Sequence, residues 1–122
     1  MPIYAPTDAD SFEAHGSRFD SFVRTANGGD SLCAWRLEVA PGLDGVPHRP
    51  SHEEVILVLR GQATVVVDAS RATVEAGDVI HVPAGSELTI NGGPDGATAW
   101  VTTTPGLTAR IGETTIAPPW AQ

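Results

Sequence analysis

Apolar residues in this chain recur at every second position far more often than at every third or fourth. "SLCAWRLEVA" (31–40) sets Cys33, Trp35, Leu37 and Val39 at period two, the spacing of one face of a β-strand. "FDSFVR" (19–24), "EEVILVLR" (53–60), "QATVVVD" (62–68), "RATVE" (71–75), "DVIHV" (78–82), "SELTI" (86–90), "ATAWVTTT" (97–104) and "LTARI" (107–111) are further β-prone runs. Turn residues separate them at "PGLDG", Gly61, "EAGD", "PAG", "NGGPDG" and "TPG". Prolines fall at the ends of these runs, where a missing N–H breaks no ladder. No long stretch has helical periodicity with caps; "DADSFEAHG" (8–16) offers Asp and Ser as N-caps for one helical turn. Many short strands with turns between them predict an all-β sandwich or barrel.

Two runs, "EVILVLR" and "TVVVD", are apolar on both faces. Such strands need cover on both sides, from the barrel interior and from a second sheet or subunit, so a homodimer is expected. The tail "APPWAQ" reads as an extended arm, with Trp120 either capping the barrel or packing on a partner.

At 122 residues the chain fits one domain, able to bury about two-thirds of its unfolded surface. Residues 1–18 form an N-terminal arm in this scheme, 31–104 the core and 113–122 the tail. No apolar run approaches the ~18–20 residues of a membrane span, and the start lacks a signal-peptide pattern, so a cytoplasmic protein is expected. The net charge of −8 argues against a nucleic-acid partner, which would need a basic face. All seven basic residues are arginines. Lysine Schiff-base chemistry and a P-loop lysine are therefore excluded. Cys33 is alone, so no intrachain disulfide forms, and its strand-like setting reads as packing.

The chemistry concentrates in "PHRPSHEEVILVLRG" (47–61), two histidines and two glutamates ahead of a strand. With "PGLDG" before it and "AGDVIHVPAGSELTING" after it, this segment resembles the two consecutive motifs of the cupin superfamily. Gly42, His48, Glu54 and Gly61 fall in the first motif, and Gly77, Asp78, Pro83 and Gly85 in the second. The resemblance implies a double-stranded β-helix, the jelly-roll barrel, with a pocket for a small molecule. In that family three histidines and a glutamate hold a metal. Here Pro50 stands where the second histidine is expected and Leu88 where the third is. Only His48 and Glu54 remain in register, fewer than the three or four donors of a tight divalent site.

His52 could repair the set. Residues of equal parity on an extended strand share a face, so His48, His52 and Glu54 could form a two-histidine, one-carboxylate triad unless Pro50 bends the chain. His52 stays open as ligand, acid–base group or surface residue. His81 alternates with Ile80 and Val82, and looks into the barrel if those two pack between sheets; otherwise it is satisfied elsewhere. His15 is expected to be exposed. Glu53 and Glu54 face opposite sides, and a carboxylate at 54 inside the barrel is costly unless a metal, a histidine or an arginine such as Arg36 meets it. Trp35, Trp100 and Trp120 are expected as core or interface residues; Trp35 or Trp100 could instead form an apolar wall for a ring-shaped ligand.

Two functions follow. One is a small-molecule enzyme performing isomerisation, cyclisation, elimination or oxygenation. It would use either one divalent ion (iron, zinc, nickel or manganese) on His48, His52 and Glu54, or no metal, with Glu54 and His52 or His81 as base and acid. The other is a non-catalytic binding module for a metabolite.

Overall fold

The computed structural model describes residues 3–122. Its strands are β1 (Asp10–Ala14), β2 (Ser17–Val23), β3 (Cys33–Val39), β4 (Arg49–Pro50), β5 (Glu54–Val67), β6 (Ser70–Glu75), β7 (Val79–Val82), β8 (Leu88–Thr103), β9 (Ala109–Ile111) and β10 (Thr114–Ile116). Three short 3-10 turns and no α-helix accompany them among the described residues. None of its helices is long and apolar enough to cross a membrane.

The larger sheet runs β1-β2-β3-β8-β5-β6, with β7 also paired to β5; the smaller runs β10-β9-β4. All pairings are antiparallel. A two-bond bridge between His48 and Leu88 ties the strand region around β4 to the start of β8. The result is a jelly-roll barrel: the alternating pattern predicts a sandwich or barrel, and the cupin resemblance implies this form of it.

Period two works as the sequence implies. On β3, Cys33, Trp35, Leu37 and Val39 all point into the core, while Ala34, Arg36 and Glu38 between them are only half-buried. On β5, Glu54, Ile56 and Val58 point in, and Val55, Leu57 and Leu59 point out. Each inward aliphatic side chain contributes roughly 1.5–3 kcal/mol through burial.

Four expectations change. Gly61 does not turn the chain: "EEVILVLR" and "QATVVVD" are one bent strand, as are "SELTI" and "ATAWVTTT". The register against β8 slips around Gly61, which has φ +76° and lies so close to the Gly96 carbonyl that a Cβ would collide with it. Glycine there bends the strand within the ladder instead of ending it. The segment expected as a helical turn, 8–16, instead enters β1 and a hairpin tip. His15 and Gly16 both have positive φ, the geometry of a two-residue hairpin loop. Finally, the tail is a 3-10 turn, Pro119–Ala121, and not an extended arm. Trp120 stacks on Phe19 with ring centroids 3.7 Å apart and an 8° interplanar angle, and its carbonyl accepts a bond from Ser21 Oγ at 3.0 Å. Of the two roles expected for Trp120, the structure displays the cap.

Candidate functional site

The barrel encloses a cavity of about 120 Å³. Its walls come from every part of the chain: Phe19 of β2, Trp35 and Leu37 of β3, Ile56 of β5, Leu88 and Val101 of β8, Ala109 of β9, and Pro118 and Trp120 of the tail. Three ionisable residues line it, Glu54, His48 and His15.

Glu54 opens β5 on its inward face, opposite Val82. The neighbouring backbone is fixed by the buried Thr103, whose Oγ1 donates to the Glu53 carbonyl at 2.7 Å. Only 6% of Glu54 is exposed, and among the described residues no hydrogen bond or ion pair reaches its carboxyl. Arg36, a conceivable counter-charge, lies on the outer face of the sheet with its guanidinium carbon 6.0 Å from the Phe22 ring. Burial without a partner pushes the Glu54 carboxyl up to about 7. A carboxyl titrating there is half-protonated near neutrality.

His48 follows the "VP" dipeptide and enters the cavity wall through its bridge to Leu88. Its Nδ1 lies 2.9 Å from the Val46 carbonyl. A carbonyl only accepts, so in the neutral ring Nδ1 carries the proton and Nε2 is left as a bare acceptor. Burial holds this histidine below the usual range; the Val46 bond opposes that shift, and the nearby His15 adds to it.

The sequence left two further histidines open as candidates for this site, and the structure turns both away from it. His81 lies opposite Val55, on the outward face of β5, and its Nε2 pairs with Glu53 on the surface. The reason is register: Val82 faces Glu54 and takes the inward position, which turns its neighbour out. His52 sits in a bend at 51–52, after Pro50, which interrupts the parity that would have aimed it at Glu54. Its Nδ1 lies 2.9 Å from Thr104 Oγ1 and 3.1 Å from the Thr104 carbonyl. The triad of His48, His52 and Glu54 is therefore not assembled. No group of three or more His, Cys, Asp or Glu among the described residues is placed to hold a metal ion. Pro50 and Leu88, at the positions where the resemblance expects ligands, are fully buried and line the cavity. Two donors, His48 and Glu54, do not fit the three or four that a divalent ion takes from a protein.

His15 is the residue the sequence undervalued. It is exposed, as expected, but the hairpin tip holds it at the mouth, where it borders both the cavity and a wider surface groove. The signal was present: a His-Gly pair between two alternating segments is a hairpin loop, and a hairpin can fold back over a barrel.

Residues 35–102 match the family described as "Cupin domain", more than half of the chain. The chain belongs to the cupin family. Over 83 residues it is 35% identical to the endoribonuclease YbeY of Myxococcus xanthus, a match covering 67% of this chain and 28% of that protein. Over 75 residues it is 35% identical to 1-hydroxy-2-naphthoate 1,2-dioxygenase of Nocardioides sp., covering 56% of this chain and 19% of that one. The chain thus spans less than a third of either relative. Among solved structures, the polyketide cyclase RemF of Streptomyces resistomycificus superposes with a TM-score of 0.74 at 23% identity, over 85% of this chain and 79% of that one. At that identity the likeness carries the fold alone.

Proposed function

We propose that this cupin is a small-molecule enzyme that moves a proton within its substrate, with Glu54 as the general base and acid. The observation that carries this is a carboxyl only 6% exposed, without a partner among the described residues, in the wall of a largely apolar cavity, where burial pushes it up to about 7. A group titrating near the working pH takes a proton and returns it with little loss at either step. His48 Nε2, stripped of its proton by the bond to Val46, accepts a hydrogen bond from a substrate hydroxyl and orients it. Removal of a proton beside a carbonyl and its return elsewhere is isomerisation; loss of a leaving group gives elimination, and attack on a second carbonyl gives cyclisation. That RemF, similar in fold, is a polyketide cyclase agrees with this class without defining the substrate. Oxygenation through a metal triad is not part of the proposal, because no three donors among the described residues are placed together to hold an ion.

The test is proton exchange. Cyclopentanone and similar small ketones, incubated with the protein in D2O at neutral pH, should lose α-protons faster than in buffer. Glu54→Gln should slow that exchange by about 10²–10⁴-fold, with the fold intact by circular dichroism. Ligands that bind without exchanging in any case would instead support a non-catalytic binding module.

A second copy of the chain is the partner this reading expects. Val55, Leu57, Leu59 and Val79 form an exposed apolar face on β5 and β7, of the kind that a subunit covers. Sedimentation equilibrium should return about twice the 12.7 kDa chain mass; a monomer at micromolar concentration would refute the dimer.

A further inference from the structure

We infer that the cavity admits an uncharged molecule of about benzene's size and turns away carboxylates. The inference deepens the proposal above and rests on it only in taking the barrel cavity as the ligand site. Size comes first. A cavity of about 120 Å³ is somewhat smaller than the ~150 Å³ that accommodates benzene in an engineered protein core. A single small ring or a short branched chain fits; a fused bicycle does not.

Charge comes second, from three features. No arginine lines the cavity, and the chain has no lysine. Arg36 is on the far side of the sheet, while Arg18 and Arg60 border only the outer groove. Two of the polar groups that do line the cavity suit hydrogen-bond donors. Ionised Glu54 only accepts, and His48 Nε2 accepts because in the neutral ring the proton stays on Nδ1, which donates to the Val46 carbonyl. An anionic ligand would set its own lone pairs against both, in a setting with little water to screen the repulsion. A net charge of −8 also opposes its approach. A small ammonium would meet Glu54 but would exchange full hydration for one carboxylate and one imidazole, a trade that seldom gains in an apolar enclosure. A neutral ligand with hydroxyl or amide N–H groups to offer both His48 Nε2 and the ionised Glu54 meets neither penalty. Several similar proteins carry carboxylates in their names, oxalate, salicylate and 1-hydroxy-2-naphthoate among them. The cavity chemistry here separates this chain from that pattern.

Binding can be read by NMR on the full chain at pH 8, with isobutyramide, isobutyrate and isopropylammonium as matched probes. The amide should bind at least about tenfold more tightly than isobutyrate, a difference of about 1.4 kcal/mol. Glu54→Gln, which removes the negative charge, should narrow that ratio. Phenol should enter and 2-naphthol should not. Isobutyrate or isopropylammonium binding the native chain as tightly as the amide would overturn the inference, as would 2-naphthol binding like phenol. These readouts need no turnover. Discrimination without proton exchange would sink the enzyme proposal alone, and exchange without discrimination would sink this inference alone.

Discussion

Asp20 and Glu54 are equally exposed, at 6% each, and their carboxyls are pushed in opposite directions. Asp20 is on the outer face of β2. Burial pushes it up, but bonds from Arg18 Nη2 at 2.8 Å and Ser11 Oγ at 2.6 Å outweigh that and hold it below the usual carboxylate range. Glu54 lies much deeper among surrounding atoms than Asp20 does, has no such partner, and rises to about 7. Coverage alone therefore does not mark a functional carboxylate. What marks Glu54 is coverage with nothing supplied in return, a state that an apolar side chain of similar size would relieve. Asp20 is explained by the contacts it makes; Glu54 is not, and that points to a ligand.

The comparison breaks most visibly if Glu54 is given a cation of its own. Pro50→His with Leu88→His would add two donors to His48 and Glu54 on the cavity wall. Zinc affinity by calorimetry should rise by orders of magnitude, and Glu54 should then resemble Asp20, ionised at all working pH. Unchanged affinity would mean that the four side chains do not converge.

The next effect is in stability against pH. Glu54 has a folded pKa above its unfolded value near 4.5, so the folded state binds the extra proton. Stability from this group is full below about 4.5 and is lost as pH rises through about 7, a swing of roughly 3 kcal/mol. His48 works against it: lowered in the fold, it contributes above its ordinary 6.5 and loses that contribution as pH falls. Urea unfolding of native chain and Glu54→Gln, compared at pH 4.5 and 8, cancels the histidine. The variant should gain on the native chain by roughly 3 kcal/mol between those two pH values. A pH-independent difference would show that the carboxyl is already solvated.

Asp20 has the opposite sign. Its lowered carboxyl stabilises above about 3.8 and loses that as pH falls through its folded value. Asp20→Asn should cost about 1–2 kcal/mol at neutral pH and converge with the native chain in acid. Smallest of all, Glu53→Gln should change stability by less than about 0.5 kcal/mol and leave ligand binding as it was. Glu53 is the immediate neighbour of Glu54, yet it faces water and His81.

Strand positions and their faces were legible because period two is written directly into β3 and β5. Cys33, Trp35, Leu37 and Val39 could be assigned inward from spacing alone. Continuity was not legible. Gly61 carries the same signal whether a chain turns or bends, and only the neighbouring Gly96 carbonyl decides between them. The site was half legible. His48 and Glu54 lie where the motif puts them, on the cavity wall. His81 was misjudged because its facing depends on which residue of β7 pairs with Glu54, a fact of register between strands about 25 residues apart. His52 turned on whether Pro50 breaks the strand, and it does.

Residues about a hundred positions apart in sequence meet in the wall of the cavity that Glu54 lines. Phe19 and the hairpin tip come from near one end, and Pro118 and Trp120 from near the other. Ala26 N–H to the Gln122 carbonyl and Gly106 N–H to the Ala121 carbonyl latch that second end in place. The pairing of β5 with β6 and β7 does not involve residues 118–120, but the cavity wall does. Removing the side chains of Pro118 and Trp120 should therefore open one wall of the cavity while leaving the ladders of β5 with β6, β7 and β8 in place.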